Sequence, residues 1–411
     1  MSIFTAPELA ALKTRYEENY ETNVFANTPT AGAIANKKKM GGSTVRVAVK
    51  YGASAGVGAR LGNLTDANLN TARTAFTVDP GTLYAQAIVD NVAALFSDSK
   101  EDAIVSTFGD EQDSCLVAMS TLIEDCLWND GSGCQATILS NTNPSGNIFV
   151  LVLTQPTNAY RFMVNQVIAS KATPFAGALD AGTATITAID QITGNITVDG
   201  GGTWTPTNTH VFGLANTVAA STAVQQPVGI PGWITNNATA LAATFYGVVR
   251  SVDQVHLAGN VVDCTSMNVR QAVETTTVAI CNIGGAKPDF VVLCPSNYLK
   301  LIALTNDQRR YVDVKGQDID VSYSGFQFMG PRGKLTVLQS PAAPADMIAV
   351  LDSRTWFLAS PEGGDPVMPA FRGDMGWINL QSTDQCLIRM RAAFTFYTDC
   401  PAFNGMALVS P

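Results

Sequence analysis

The stretch Ser99–Gly131, SKEDAIVSTFGDEQDSCLVAMSTLIEDCLWNDG, contains no proline and one internal glycine, Gly109. Ile104, Phe108, Cys115, Met119, Leu122 and Cys126 recur at steps of three, four or seven, and Val105, Leu116, Ile123 and Leu127 widen the same face. That is the pattern of an amphipathic helix. Ser99 is the expected N-cap, with acidic residues crowding the first turn, and Gly131 is the expected left-handed terminator. At ~1.5 Å per residue the helix would span roughly 45 Å. That length suits a rod laid across a sheet or a neighbouring subunit, and Gly109 is where it would bend or break if the assembly changed shape.

A partner of matching length lies near the C-terminus. In CLIRMRAAFTFY, residues 386–397, Cys386, Ile388, Met390, Ala392, Phe394 and Phe396 face one side, and Arg389, Arg391, Thr395 and Tyr397 the other. Twelve residues at ~3.4 Å make a strand of roughly 40 Å. The central expectation is a long helix packed along a long strand.

Between and before these elements the chain reads in blocks. Residues 1–40 form an arm: a short amphipathic helix from Pro7, then a polar extended run ending in Lys37, Lys38 and Lys39. Val45, Val47 and Val49 alternate with Arg46, Ala48 and Lys50, a β signal leading into the glycine-rich GASAGVGARLGN at 52–63. The chain then returns through a second extended segment, so 41–92 reads as a long hairpin with little core of its own. Arm and hairpin are expected to pack on a neighbouring chain. Residues 134–220 carry short Thr- and Ile-rich strands joined by turns such as Thr193-Gly194-Asn195, an inserted β subdomain. From 221 to 365 the pattern is mixed α/β: helices at 265–282 and 296–305, and strands at 289–294, 335–339 and 347–351. The spine helix takes 93–133 and the returning strands 366–411.

The composition bounds the function. Of 411 residues 46% are hydrophobic but only 14% charged, against a typical ~25%. A polar, weakly charged surface suits a protein that covers itself with its own copies. The formal charge of −9 argues against a nucleic-acid reader, which wants a basic face. No signal sequence or apolar run of ~18 residues appears, so the chain is expected to be cytosolic when made, with no membrane contact. The eight cysteines show no metal-ligand spacing and sit in apolar company, as reduced core residues do.

Catalytic patterns are thin. Gly52-Ala-Ser54-Ala-Gly56 matches the nucleophile elbow G-x-S-x-G, but the elbow needs a helix directly after it, and VGARLGN is a poor one. Only His210 and His256 are available as bases. A loop tip explains the same glycines. Gly56-Val-Gly58 opens a dinucleotide fingerprint that fails at Leu61. His256 beside Asp253 reads as a structural histidine, and Asp313, Asp318 and Asp320 lack calcium-loop spacing. The Lys37–Lys39 run would meet a partner's acidic surface, internal DNA or only solvent. The reading is of a protein that is not an enzyme, with no cofactor and no metal.

This order of parts resembles the major capsid proteins of tailed phages with the Hong Kong 97 fold, an α+β class. The local resemblances are Asp130-Gly-Ser-Gly133 after the spine, FYGVVRSVDQVHLAGN at 245–260, AKPDFVVLCPSNYLKLI at 286–302 and LDSRTWFLASPE at 351–362. The resemblance implies an N-arm, an extended E-loop hairpin, a P-domain of spine helix and long strands, and a central A-domain. It implies self-assembly into hexamers and pentamers of an icosahedral head in the virion, built in the host bacterial cytoplasm around double-stranded DNA without sequence-specific contact. Portal, scaffolding and decoration proteins would be further partners. The arm is short for a fused scaffolding domain, which implies a separate scaffold or none. Inter-subunit contacts are then expected from Val45, Val47, Val49, Lys50 and Tyr51 on the hairpin's first strand. Gly52, Gly56 and Arg60 at its tip, Phe76 on its return, and Phe4, Tyr16 and Lys37 in the arm complete the expected set. An encapsulin-like compartment would share the fold, and a serine hydrolase using Ser54 is the catalytic alternative.

Overall fold

The computed structural model describes residues 30, 32, 36–52, 71–91, 107–174, 178–190, 192–218, 226–305, 326–361, 367–369, 377–379 and 383–410. The expected arm helix at 7–21, the Ser99 cap and the hairpin tip lie outside the described residues. Along the chain, β1 (Asn36–Lys39), β2 (Val45–Lys50), β3 (Arg73–Val78) and β4 (Gly81–Asp90) precede the helix α1 (Thr107–Leu127). Six strands follow: β5 (Ala136–Ser145), β6 (Ile148–Leu153), β7 (Val167–Lys171), β8 (Ala184–Ile189), β9 (Ile196–Asp199) and β10 (Val211–Leu214). A short pair, β11 (Thr244–Phe245) and β12 (Val248–Val249), leads to β13 (Asn260–Asp263), α2 (Val269–Cys281), β14 (Phe290–Leu293) and α3 (Pro295–Thr305). Then come β15 (Phe326–Gly330), β16 (Gly333–Gln339), β17 (Met347–Leu351) and β18 (Trp356–Ser360). β19 (Val367–Pro369), β20 (Trp377–Asn379), β21 (Gln385–Thr398) and β22 (Gly405–Leu408) close the chain.

Helix and strand meet as expected. The α1 face of Cys115, Met119, Ile123, Cys126 and Leu127 is buried, and the helix packs over β4 and β21. α1 ends at Leu127 rather than at Gly131. Trp128 N–H and Asn129 N–H reach back only three residues, to Asp125 and Cys126, and tighten the last turn. Gly131, at φ +94°, serves the loop beyond. Gly109 lies inside α1, where the helix is continuous.

β21 is the axis of the first sheet. It pairs antiparallel with β4 over ten positions, Gln385↔Asp90 to Phe394↔Gly81, and its last residues pair with β18. β19 and β20 also pair with it, and β1 joins the far side of β18 in parallel. Two expectations change here. The returning segment of the hairpin is two strands, split at Asp79-Pro80, where proline supplies no donor to continue β3. Only β3 pairs with β2, while β4 carries Leu83, Ala87 and Val89 into the core under α1. The Lys37–Lys39 run is no loose loop: it is strand β1.

β5–β10 close into a six-stranded barrel in the order β10-β5-β6-β9-β8-β7. Its interior holds Trp204 edge-on to Phe149 at 5.9 Å and Phe162 stacked on Phe212 at 5.0 Å. Where the spine turns into the barrel, Gly133 sits at φ +77°, and a Cβ there would lie 2.1 Å from Thr217 O. Only glycine fits that crossing.

The second sheet runs β13-β22-β17-β14-β16-β15, with α2 and α3 packed beside it. α2 starts at Val269, later than the expected 265, because Asn268 and Gln271 form a capping box there. Strand pairing also crosses the expected block boundaries. β18, placed in 221–365, belongs to the first sheet, and β22, placed in 366–411, belongs to the second. Between the two sheets sits Asn404, fully buried. Its Oδ1 accepts from Asp352 N–H at 3.0 Å and Trp356 Nε1 at 2.9 Å, and its Nδ2 donates to Thr355 Oγ1 at 2.9 Å. Among the described residues no helix is long and apolar enough to cross a membrane.

The hairpin's base is thus a core element. Phe76, 0% exposed, meets Trp233 at 5.2 Å and Phe245 at 6.2 Å. Phe76→Ala is expected to cost roughly 3–5 kcal/mol of stability in a urea melt of dissociated subunits; an unchanged midpoint would return the hairpin base to the surface.

Candidate functional site

The hairpin was singled out for contacts between chains, and the structure sorts its residues by burial. Val47, Val49 and Phe76 are buried in the chain's own core, which uses them to hold the hairpin base. Val45 and Tyr51 pack half-buried against that core. Gly52 closes on the return strand: its N–H donates to Ala72 O at 3.3 Å, and a Cβ would lie 2.7 Å from Ala72 Cβ. Phe4, Tyr16, Gly56, Arg60 and Ser54 lie outside the described residues, as do Asp313, Asp318 and Asp320.

What the base presents outward is positive charge. Lys37 and Lys39 on β1, Arg46 and Lys50 on β2 and Arg73 on β3 are exposed, and none is in an ion pair among the described residues. Lys50 stands directly opposite Arg73 in the β2–β3 register. Like charges so placed repel, which favours an anionic partner over that face. Between β1 and β2 lies a groove of about 480 Å³ lined by Lys38, Lys39 and Arg46, with Phe357, Tyr397 and Asp399 on its inner side. Lys38 Nζ rides 5.1 Å above the Phe357 ring, which stacks on Tyr397 at 5.1 Å. Burial raises the Asp399 carboxyl, and the nearby Lys38 ammonium opposes the shift.

The stretch 245–260 fastens this hairpin to the body. Trp233 donates its Nε1–H to Phe396 O on β21 at 3.1 Å and meets Phe245 edge-on at 5.1 Å. Arg250, 2% exposed, places its guanidinium 3.9 Å from the Phe245 ring and donates to Gly232 O and Trp233 O. Thr77 N–H on β3 donates to Tyr246 O at 2.9 Å.

A second polar cluster, which sequence reading missed, lies where α1 meets the barrel. Arg161 Nε donates to Asp125 Oδ1 at 3.0 Å, and Gln135 Nε2 donates to Asp125 Oδ2 at 3.1 Å. All three side chains are buried. Arg161 and Gln135 border a cavity of about 270 Å³ with Asp130, Gln155 and Asp346. Burial pushes the Asp125, Asp130 and Asp346 carboxyls up, opposed at Asp125 by Arg161 and at Asp346 by its own backbone N–H, Gln155 and Arg161. Only Asp130, in the loop after the spine, had drawn notice. The rest are polar residues scattered between 125 and 346 with no local signature.

Neither histidine is poised for chemistry. His256 Nδ1 lies 2.8 Å from Asp253, which also caps the helical turn Gln254–Ala258. His210 Nδ1 lies 2.8 Å from Asp180 Oδ2, the oxygen that accepts from Ser170 Oγ at 2.5 Å, and Trp204 Nε1 donates to Ser170 Oγ. The three residue types of a triad are present, but the carboxylate stands between serine and histidine. The imidazole therefore cannot take the serine proton. Among the described residues no three His, Cys, Asp or Glu side chains converge where a metal would sit. All eight thiols are free and five are buried.

Comparison with solved structures aligns the chain end to end with capsid subunits. A chain of the cyanophage A-1(L) capsid asymmetric unit superposes with a TM-score of 0.56 at 11% identity, over 95% of this chain and 96% of that one. The capsid of a native GTA particle superposes at 0.50 with 10% identity, over 98% and 96%. The chain has the Hong Kong 97 capsid fold. No family profile matches the sequence, and no curated protein does.

Two predictions follow from the buried cluster. Arg161→Met leaves the Asp125 carboxylate buried without its cation and is expected to cost roughly 3–5 kcal/mol in urea unfolding, most of it recovered when Asp125 is also made apolar. At Asp346 the folded state holds its proton more tightly than the unfolded chain. The stability from that group is therefore full below the unfolded value and lost as pH rises through the raised one. Asp346→Asn should raise the melting temperature at pH 7–8, with the gain shrinking toward acid; a gain independent of pH would contradict the burial effect.

Proposed function

We propose that this protein is the shell subunit of a tailed-phage head, which assembles with its own copies into hexamers and pentamers around double-stranded DNA. The observation that carries the reading is the whole-chain superposition on a phage capsid subunit, 95% of one chain on 96% of the other. The geometry supports it: a rigid bar of α1 along β4 and β21, a hairpin whose base is locked into that bar, and outward-facing positive charge with no ion-pair partner among the described residues. Such a subunit acts by assembly rather than by catalysis, as heterologous contacts between identical chains close into rings. The net charge of −9 keeps most of the wall from adhering to the genome it encloses. The subunit would reside in the virion after assembly in the bacterial cytoplasm, with portal, scaffolding and decoration proteins as further partners.

Purified protein is expected to form closed shells visible by negative-stain microscopy and light scattering. A monomer under every condition would defeat the reading, and shells loaded with one co-expressed protein instead of DNA would move it to an encapsulin-like compartment. Deleting residues 52–62 should weaken shell formation while the far-UV spectrum stays near native, because the base strands are held by the core.

A further inference from the structure

We propose that the groove between β1 and β2 seats an acidic, extended segment of a second copy of this chain. The inference rests on the shell reading and says what one of its seams is made of. Three independent observations meet there. The first is main chain. β1 pairs only with β18 and β2 only with β3, so the second edge of each strand bordering the groove is unpaired among the described residues. An open edge is satisfied by an added strand, and the four residues of β1 offer about 13 Å of it.

The second is charge. Residues 36–78 contain seven of the chain's 25 Lys and Arg and one of its 34 Asp and Glu, a balance of +6, so the rest of the chain carries −15. A basic edge and an acidic remainder on one polypeptide are complementary between copies. Copies can therefore attract head to tail while each remains acidic overall. The third is preorganisation. Lys38 is already held over the Phe357–Tyr397 stack, and Lys39 and Arg46 line the opposite sides of the groove. Asp399, at the inner wall, is the groove's one acid among the described residues, and Lys38 stands beside it.

A polypeptide fits this site better than DNA does. The open edges ask for backbone amides and carbonyls, which a polynucleotide lacks, and the −15 remainder repels a polyanion.

The test uses full-length protein. Association of the wild type, read by light scattering, should weaken steeply between about 0.1 M and 1 M NaCl, where the screening length falls from about 10 Å to about 3 Å. The variant Lys39→Glu/Arg46→Glu should associate about tenfold or more weakly at low salt, with an unchanged far-UV spectrum and melting temperature, since both side chains line the groove, are exposed and are in no ion pair among the described residues. Should that variant misfold, Lys39→Gln/Arg46→Gln gives the same reading in a milder form. A variant that assembles like the wild type, with the same salt dependence, overturns the groove and leaves the shell reading intact. A wild type that never associates removes both. Anisotropy with a short fluorescent duplex separates the last alternative: duplex binding lost in the variant while shell formation persists would make the groove a DNA site and overturn the proposal.

Discussion

A strand of 14 residues has to be satisfied along two edges and on both faces, and β21 shows how much of a molecule that requires. One edge alone takes ten residues of β4, drawn from a segment roughly three hundred positions earlier in the chain. β18, β19 and β20 supply further pairing, and α1 covers a face. Phe394 and Phe396, both 0% exposed and 5.4 Å apart edge to face, point into the core that α1 closes. The helix is long because the ladder beneath it is long. Shortening either would leave apolar area uncovered at roughly 25 cal/mol per Å².

That constraint reconciles two demands on the hairpin. A two-stranded ribbon is marginal alone, yet a reaching arm must hold its aim. The chain resolves this by burying the ribbon's root. Phe76, Trp233, Phe245 and Tyr246 form one aromatic knot, and Arg250 ties it to the backbone of the turn at Gly232 and Trp233. Apolar residues face inward at the root and cations face outward, so one ribbon serves stability on one side and, on the proposed function, association on the other.

Much of this was legible before any coordinates. The α1 face and the alternation of β21 were read from periods of 3.6 and 2 because each element carries one continuous apolar side, although Leu387, Thr395 and Tyr397 on the other side of β21 are buried as well. α2, α3, β14, β16 and β17 were likewise marked by apolar runs between turn residues. What escaped was non-local. Nothing near Lys37–Lys39 says that its strand partner is β18, since four exposed residues carry no burial pattern. Nothing in short Thr-rich strands says whether they close into a barrel. The Asp125–Arg161–Gln135 cluster joins three separate segments, so no window of sequence contains it. Val47, Val49 and Phe76 were expected at a neighbour's surface because β4 was read as part of the hairpin. Once β4 is moved to the large sheet, the core reaches the hairpin root and takes them in.

The parallel pairing of β1 with β18 sets an order in time. Asn36 meets Phe357, and the groove wall also needs Tyr397 and Asp399. A ribosome-bound chain therefore carries its basic residues for hundreds of codons before it has a groove to put them in. Neighbouring nascent chains on one message cannot engage through a seat that does not yet exist. On the proposed function, competence to join a lattice is acquired late, with the closing strands. A contact order this high slows folding, but it also keeps unfinished chains from linking to one another.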